Sequence, residues 1–475
     1  MTGLELLGLV MLLVMLGAIF IGLPISFTLL FLALIFGFIG LGGRVFDLAY
    51  FQTIGLMKQD EFVAVPMFIL MGYICDDAGI MERMFKAFRD LFAPVRGSLY
   101  IVVLLTATLF GIAAGTVGAT VALLGIMAGP MMIRSGYDVR MSAGAITAGG
   151  TLGILIPPSV MLVVMGPVLG VSVATLYEAA IGPGFLLAGM YIVYTMVRSF
   201  FNPKLGPPVP MDERPTRLGP VIWECVVGLV PVTVLTIATL GVIIVGLTTA
   251  TEAAALGSLG AIIMVICYGR FTYSGMWRAC QNTLVTTSMV LFLAVTSNVF
   301  GAVFARLGTA NWITNQLLAV PLPPVGTMIL VFTLIFLLGW PFEWPAIVLI
   351  FLPMLAPVAA GLGYDMVYFG AVTAVVLQTA FLSPPVAMSA YYLKQVVKQW
   401  SIGDIYKGMY QFMVLQVICV GVIIYFPSIV NWLPTVLEEA SRGQKIPEEH
   451  QKIIDFQRKN TKSLEDDDWG STSKK

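Results

Sequence analysis

The sequence predicts an all-α polytopic membrane protein built from two inverted repeats, each with a re-entrant hairpin and a broken helix. Of the 475 residues, 58% are hydrophobic and only 11% are charged, which exceeds what a soluble core can bury. Two apolar stretches, 149–161 and 378–388, are interrupted by glycine, proline and hydroxyl residues. Lysine and arginine are also distributed unevenly between alternate loops. Together these three features predict the fold class.

The two interrupted stretches are copies of one unit. The first runs from Gly149 to Met161 and the second from Gln378 to Met388, and each holds an adjacent proline pair. A Gly-Tyr-Asp triplet precedes each stretch, ending at Asp138 and at Asp365, 227 positions later, and the proline pairs have the same spacing. Paired interruptions of this kind indicate the binding site of a secondary transporter. For either stretch alone, glycines that only serve helix packing are an alternative.

A hairpin is predicted before each interrupted stretch. The apolar segments 98–133 and 325–361 are each divided by residues that disfavour a helix, and both halves of each segment are too short to span comfortably. We therefore predict two re-entrant hairpins, with tips at 114–120 and at 339–345.

Runs of about 20 apolar residues predict the remaining spans. They lie near 4–23, 24–42, 61–78, 176–198, 219–246, 251–268, 285–304 and 406–433. Residues 43–60 are predicted to lie along the interface, and 82–96, with basic residues at helical spacing, to form an amphipathic helix on the membrane surface. The predicted domains are N-terminal spans with that surface helix (1–97), the first repeat (98–175), central spans (176–304), the second repeat (325–397), a last span (406–433) and a polar tail (434–475).

Lysine and arginine divide the loops between two faces. If the hairpins return to the side from which they enter, one face carries 15 of the 26 basic residues and the other only three, with eight in the tail. The positive-inside rule makes the richer face cytoplasmic. The first broken helix is preceded by Arg134 and Arg140, whereas Lys394 and Lys398 follow the second one. The repeats are therefore predicted to be inverted, which gives alternating access to a site near the midplane.

The breaks carry the predicted chemistry, because unwound carbonyl groups can coordinate a bare cation. We predict one sodium site at Gly115, Thr116, Gly150, Thr151, Gly153 and Ser159, and a mirror site at Trp340, Glu343, Gln378, Thr379 and Ser383. The substrate is predicted to lie between the hairpin tips, against Gly118, Thr120, Pro157, Pro158, Trp340, Trp344, Pro384 and Pro385. Interfacial anchoring is an alternative role for Trp340 and Trp344.

Four acidic residues stand at informative positions. Glu343 is the only acid deep in an apolar stretch of either repeat, and intramembrane carboxylates are functional by default. Its alternatives are ligation of a cation, exchange of a proton and capping of the second hairpin leg. Asp138 and Asp365 stand where helix N-caps are expected, and Glu252 has the position of a capping or packing residue.

Composition excludes several classes of function. The only histidine, His450, lies in the polar tail, which removes histidine-based triads and multi-histidine metal sites. The five cysteines have no CxxC spacing, and a net charge of zero indicates no nucleic-acid partner. No nucleophile, base or metal set lies within the apolar stretches, so an enzyme is not predicted. Two inverted halves argue against a channel subunit, whose pore residues repeat by oligomeric symmetry.

The same segments resemble a known family. The large membrane (M) subunit of tripartite ATP-independent periplasmic (TRAP) transporters is similar at Gly115-Thr116, 149–159, Thr251-Glu252 and 378–385. The likeness covers residues 1–433, and 378–407 is most similar to the branch labelled for mannitol or chloroaromatic compounds. Ala114-Gly115-Thr116 stands where many members have Ser-Gly-Ser, and the second tip carries Glu343 and two tryptophans where many members carry aspartate.

The resemblance implies a symporter of the bacterial inner membrane with an elevator mechanism. A transport domain of two hairpins and two broken helices would slide against a scaffold under a sodium gradient. The implied partners are a small membrane subunit of about four spans and a periplasmic substrate-binding protein. The coupling Na⁺ is the only cofactor implied, and the substrate is an organic acid such as a dicarboxylate, 2-oxo acid or sugar acid. Proton coupling through Glu343 is the alternative mechanism.

Overall fold

The computed structural model describes residues 2–114, 117–208, 214, 218–384 and 387–443. These residues fold into helices and contain no β-strand. In chain order the helices are α1 (Gly3–Phe20), α2 (Ile25–Leu41), α3 (Arg44–Met57), α4 (Ala64–Asp77), α5 (Ile80–Phe92), α6 (Ser98–Ala114), α7 (Val117–Arg134), α8 (Val139–Leu155), α9 (Val160–Leu169), α10 (Val173–Phe201), α11 (Leu218–Thr236), α12 (Val242–Ile244), α13 (Ala250–Cys267), α14 (Tyr273–Arg306), α15 (Thr309–Leu318), α16 (Pro324–Leu338), α17 (Trp344–Ala346), α18 (Leu352–Gly361), α19 (Met366–Leu377), α20 (Met388–Val396), α21 (Ile402–Tyr425) and α22 (Ser428–Gly443). Irregular turns join some of them, with 3-10 geometry at Asp60–Val63 and Gln378–Phe381 and π geometry at Ile237–Gly241 and Ile347–Phe351.

Eight helices in the described part of the chain are long and apolar enough to cross a membrane, and ten if each bent pair counts as one span. The prediction of an all-α polytopic membrane protein is thereby confirmed. Two boundaries differ from the prediction. α14 is one helix of 34 residues instead of a span at 285–304. The last span ends at Tyr425 instead of 433, because the residue before Pro427 is held out of helical geometry.

The C-terminal part forms a second compact unit that begins at Trp432. Its described portion is the end of α22, which carries polar and acidic residues. The remainder of the predicted polar tail, from residue 444 onward, lies outside the described residues.

The legs of both hairpins and the halves of both broken helices lie near the positions that the sequence predicts. The second leg of each hairpin, Val117–Arg134 and Trp344–Gly361, is however 18 residues long and apolar enough to cross a membrane, so the prediction that it is too short is wrong. α6 ends at residue 114 and α7 begins at 117, both within the first predicted tip at 114–120, and the two helices contact each other. The second hairpin turns between the end of α16 and the start of α17. α8 and α9 meet at a bend of 47°. α19 and α20 are separated by the 3-10 turn at Gln378–Phe381 and the residues that follow it.

The span that follows each repeat packs against the broken helix of the other repeat. α21 contacts α8, where Gly408 lies so close to the carbonyl oxygen of Arg140 that a Cβ has no room. α10 contacts α19 in the corresponding place, and Gly370 there faces Leu176. Glycine permits this close approach of two helices. The exchange of partners interlocks the two repeats.

The second half of each broken helix lies along the second leg of the other repeat's hairpin. α20 follows α7, so that Gly125 faces Leu393. α9 meets α18 in the same way, and Val168 and Met354 line one cavity between them. The two pairings are equivalent under the 227-residue offset, as expected for two copies of one unit.

Contacts between loops bring the basic segments to one end of the helices. The amide of Asp138, after α7, donates to the carbonyl oxygen of Leu205, after α10, at 3.1 Å. Arg140 and Asp404, at the start of α21, form an ion pair of 3.2 Å. The loops that the sequence assigns to the basic, cytoplasmic face therefore meet each other.

The predicted surface helix corresponds to α5, whose apolar side contacts α6 and α11. Met84, Phe85 and Phe88 are buried, and Arg83 forms an ion pair of 2.9 Å with Glu224 on α11. Protein therefore covers most of the apolar face of α5, and the location of this helix on the membrane surface stays a prediction. Helical periodicity shows that one side of a helix is buried, but it does not show what covers that side.

The predicted N-caps are confirmed. Asp138 accepts a hydrogen bond of 2.8 Å from a first-turn amide of α8. Asp365 accepts two such bonds, of 2.8 and 3.0 Å, at the start of α19. Glu252 forms a capping box with Thr249 at the start of α13. Satisfied first-turn amides fix where a helix begins, so both broken helices start in the same register.

Replacing Asp365 by alanine is expected to destabilise the protein by about 1 kcal/mol, because two first-turn amides of α19 lose their acceptor. Denaturant unfolding of the purified protein measures this loss. Asp365→Ser keeps an acceptor oxygen and is the matched control, with a smaller expected loss. Equal losses in the two variants would show that the carboxylate does more than cap the helix.

Candidate functional site

A cavity of about 400 Å³ lies where the two hairpin tips meet the two breaks. The first tip contributes residues 117–119 and the second tip 342–345. Ile154 and Met388 come from the flanks of the two breaks, and one side of the wall, including Val290, comes from α4 and α14. A concave, mostly apolar chamber with few polar groups is typical of a small-molecule site. We call it the central cavity.

The polar groups of the central cavity come from both repeats and from the neighbouring spans. The hydroxyl groups of Tyr73 on α4 and Thr286 on α14 are 3.0 Å apart. Glu343 stands at the N-cap position of α17, is partly buried, and makes no side-chain capping hydrogen bond. Tyr392 on α20 opposes Gly118, where a Cβ would lie 3.0 Å from the ring Cζ atom. Lysine and arginine are absent from the described lining.

The residues predicted to bind substrate are only partly brought together. Gly118 and Trp344 line the central cavity, whereas Trp340 does not. Trp340 is exposed and packs edge-on against Phe336, with 6.1 Å between the ring centroids. The others divide between buried positions and the surface, with Thr120, Pro157 and Pro158 buried and Pro384 exposed. Gly115, Thr116 and Pro385 lie outside the described residues.

The hydroxyl groups at the first break bond to backbone carbonyls. Ser159 donates to the carbonyl oxygen of Ile154, and Thr151 donates to that of Ala148 at 2.9 Å. Tyr177 donates to the carbonyl oxygen of Ser159 at 3.3 Å. These bonds provide partners for some of the buried carbonyl groups at the break, and they leave the lone pairs of the hydroxyl oxygens available to a cation. The sodium site at this break stays a prediction.

The predicted cation ligands Gly150 and Gly153 have a packing role in the structure. Gly150 faces Val121 on α7 so closely that a Cβ would collide with it. A Cβ on Gly153 would lie 2.7 Å from the Cα atom of Gly111 on α6. α8 therefore lies against both legs of the first hairpin, with its glycines at the points of closest approach.

The second break contains an acceptor that has no donor. Gln378 Nε2 donates to the carbonyl oxygen of Ala374 at 3.2 Å, whereas Gln378 Oε1 is buried and has no hydrogen-bond partner among the described residues. Thr379 donates to the carbonyl oxygen of Val376 at 2.6 Å, and Ser383 donates to that of Thr379 at 2.7 Å. Thr379 also lines a separate apolar cavity of about 760 Å³ between α16 and α21. A buried amide oxygen without a donor suits a hard cation.

Three polar residues of the central cavity, Tyr73, Thr286 and Tyr392, were not predicted from the sequence. Tyr392 follows the second break by one helical turn from Met388, so helical spacing could have placed it beside the site. Tyr73 and Thr286 lie on spans outside the repeats, and their sequence surroundings give no signal that they face the breaks.

Comparison with known proteins agrees with this architecture. The family model described as tripartite ATP-independent periplasmic transporter, DctM component, matches residues 9–429. The sialic acid TRAP transporter large permease protein SiaM of Vibrio cholerae is 30% identical, over 88% of this chain and 96% of that protein. The C4-dicarboxylate TRAP transporter large permease protein DctM of Rhodobacter capsulatus is 28% identical over the same shares.

A solved structure supports the fold. The YdaH transporter of Alcanivorax borkumensis aligns with a TM-score of 0.55 and 15% identity, covering 82% of this chain and 89% of that one. The family match spans both hairpins, both broken helices and the central cavity. The relatives are named as permeases, so this chain is a multi-pass transport component of the bacterial inner membrane and not an enzyme. The chain belongs to the DctM component family of TRAP transporters, which confirms the resemblance to the large membrane subunit.

Proposed function

We propose that this chain is the permease subunit of a sodium-coupled, binding-protein-dependent transporter that imports an organic acid by an elevator movement. The observation that carries the proposal is the central cavity, which both hairpin tips and both breaks enclose. Secondary transporters bind substrate at such an interface between inverted repeats. The names of the relatives supply the substrate class, because sialic acid and C4-dicarboxylates are organic acids. A third relative, YiaN of Escherichia coli, is named for another organic acid, 2,3-diketo-L-gulonate.

The charge of the central cavity favours symport. Its described lining offers an organic anion no basic side chain and presents Glu343 instead. In a low-dielectric chamber the carboxylate of the organic acid and that of Glu343 repel each other, and each disfavours the charged form of the other. Binding of the anion is therefore favoured by a cation or a proton bound at or beside this chamber, and this dependence couples the two movements.

Sodium is the proposed cation, because the breaks concentrate oxygen atoms that a hard cation prefers. The amide oxygen Gln378 Oε1, which has no hydrogen-bond partner among the described residues, is the strongest single ligand. The hydroxyl groups of Thr379 and Ser383 follow it at the same break. At the first break the hydroxyl oxygens of Thr151 and Ser159 supply the corresponding ligands.

The proposed moving body consists of α6–α10 and α16–α21, because α10 and α21 interlock the two repeats. α4 and α14 would form the fixed wall, to which Tyr73, Thr286 and Val290 belong. α10 thus joins the moving body, whereas the sequence prediction groups it with the central scaffold spans at 176–304. Sliding one body past the other opens a cavity at their boundary to alternate sides.

The proposed partners are a small membrane subunit of about four spans and a periplasmic substrate-binding protein. The family description supports them, because it names a tripartite system in which this chain is one component. The assignment of this chain to the family branch labelled for mannitol or chloroaromatic compounds stays a prediction.

Uptake into proteoliposomes tests the proposed function. Vesicles that contain this chain with its small subunit receive radiolabelled N-acetylneuraminate, succinate or 2,3-diketo-L-gulonate, with and without the binding protein. A sodium gradient and a pH gradient are imposed in turn. We expect import of an organic acid that requires both sodium and the binding protein. Absence of import for every acid under both gradients would contradict the proposal.

Proton coupling is the second candidate, and it is favoured by the position of Glu343 in the cavity wall without a capping hydrogen bond. With sodium coupling, Glu343→Gln is expected to keep sodium-driven uptake and to raise the KM for sodium about tenfold, because the amide loses about 1.4 kcal/mol as a cation ligand. Glu252→Gln, at a capping box away from the cavity, is the matched control. Uptake driven by a pH gradient in the wild type, and abolished in Glu343→Gln, would establish proton coupling instead.

A further inference from the structure

A second cavity, of about 350 Å³, lies between the end of α9, the second leg of the second hairpin, and helices α3 and α14. We call it the outer vestibule. It is next to the ends of α3 and α14 that the charge distribution assigns to the outside. Its volume is close to that of the central cavity, about 400 Å³.

The two cavities follow one another along the same pair of helical segments. α14 contributes Val290 to the central cavity and Asn298 to the outer vestibule, and the second hairpin contributes Pro345 and Pro353. Eight residues separate the members of each pair, which corresponds to about 12 Å along a helix. The fully buried turn around Ile347 lies between the two chambers. The outer vestibule is therefore the chamber next to the central cavity on the outer side.

The polar groups of the outer vestibule all lie on one wall, formed by α14, α3 and the residues after α3. Gln52, Gln59, Ser297 and Asn298 contribute amide and hydroxyl groups. The Ser297 hydroxyl is buried and has no hydrogen-bond partner within the described residues. Asn298 Nδ2 donates to the carbonyl oxygen of Gln52 at 3.0 Å, which holds the two helices together. The opposite wall, which includes Met354, is apolar.

Charged residues of both signs adjoin the outer vestibule in the sequence. Lys58 precedes the lining residue Gln59, and Asp60 and Glu61 follow it. Arg306 follows Ala305, which also lines the cavity, so two positive and two negative residues adjoin it. Opposite charges at the same mouth provide no net field. Recognition in this chamber therefore depends on neutral donors, which can bond to the carboxylate and hydroxyl oxygens of an organic acid.

We infer that the outer vestibule is a transit site that holds the organic acid before it enters the central cavity. The inference rests on the proposed import of an organic acid and adds a second binding site to it. Ser297 and the amides of Gln52 and Gln59 donate to the acid, and the apolar wall covers its carbon skeleton. The buried hydroxyl of Ser297 gains the partner that it lacks in the protein alone.

Filling the outer vestibule tests this inference. Gly301 lines it, and a Cβ there would have no atom within 4 Å, so leucine at this position projects into the chamber without a collision at its first carbon. Gly301→Leu is expected to raise the KM for uptake about tenfold and to leave the maximal rate within about twofold. Gly55→Leu, at another helical glycine with open space and outside the cavity lining, is the matched control and should leave both constants unchanged.

Chemical labelling provides a second readout that does not depend on transport. Ala302, which lines the outer vestibule, is changed to cysteine after the natural Cys75, Cys225, Cys267, Cys280 and Cys419 are replaced by serine. The membrane-impermeant anion 2-sulfonatoethyl methanethiosulfonate is added from outside. Saturating N-acetylneuraminate or succinate, whichever the uptake assay selects, is expected to slow the reaction at least about threefold. This protection should persist when Gly118→Leu fills the central cavity.

The outcomes separate the transit site from the proposed function. If the wild type imports an acid but Gly301→Leu and Gly55→Leu behave alike, the transit site is wrong and the import stands. Loss of protection in the Gly118→Leu background would also overturn the transit site, because the central cavity would then be the only binding place. If the wild type imports none of the acids, the proposed function fails. Labelling with each acid in turn then decides whether the outer vestibule binds one.

Discussion

Replacing Gly153 by alanine is expected to destabilise the protein by about 3 kcal/mol. A Cβ at this position would lie 2.7 Å from the Cα atom and 2.9 Å from the carbonyl oxygen of Gly111, so α8 and α6 have to move apart. The colliding atoms belong to the backbone and have no rotamer by which to avoid the new methyl group, which places the cost at the upper end for overpacking. Denaturant unfolding of the purified protein measures the change.

The matched control is Gly189→Ala, in α10. A Cβ at Gly189 would have no atom within 4 Å, and alanine is the better helix former, so this variant should lose no stability. If Gly153→Ala were as stable as Gly189→Ala, the first hairpin would not be held against α8 by backbone contact. The close approach of Gly153 to Gly111 would then contribute nothing to stability.

Gly118→Leu is expected to lower the apparent affinity for the imported acid about 10- to 100-fold. The new side chain would meet the Tyr392 ring, 3.0 Å from the Cβ position, and then extend into the central cavity. Overpacking of this kind costs about 1–3 kcal/mol, and each 1.4 kcal/mol corresponds to a factor of ten in binding. Uptake at a series of acid concentrations gives the change in KM.

A control must separate lost binding from lost folding. Gly189→Leu introduces the same side chain into a helix at a point with open space, so its uptake should match the wild type. Gly118→Leu should elute from size exclusion as the wild type does, because only the flexible end of Tyr392 has to shift. An unchanged KM in a folded Gly118→Leu protein would show that the acid does not bind in the central cavity.

Local sequence patterns were sufficient to predict the elements that make up each repeat. The second hairpin turns at residues that disfavour helices, and Asp138 and Asp365 each cap a broken helix at the same place in the two copies. These features depend on residues within a few positions of each other. The 227-residue offset then extends every assignment in one repeat to the other.

Contacts between distant segments could not be predicted in this way. Nothing near Gly408 in the sequence indicates that α21 packs on the first repeat, because the pairing depends on the shape of another helix. The covering of α5 by α11 was missed for the same reason. Hydrophobic periodicity identifies a face, and the partner of that face is decided by the tertiary fold.

The candidate site was likewise predictable only in part from the sequence. Glu343 and Trp344 were predicted from their position at a hairpin tip and line the central cavity, whereas Trp340 in the same tip faces elsewhere. An irregular turn has no fixed periodicity from which side-chain directions follow. Tyr73 and Thr286 entered the site from spans whose sequences are ordinary for membrane helices.

The exchange of partners between the repeats also determines the order in which the chain can be completed during its synthesis. α8 ends at Leu155 and its partner α21 begins at Ile402, so 246 residues are made between them. At a usual rate of translation this takes roughly 12 to 50 s, during which the glycine-bearing face of α8 is in the bilayer without its partner. Insertion of the last span is therefore the step that completes the first repeat. A premature stop before Ile402 leaves both halves of the transporter unfinished.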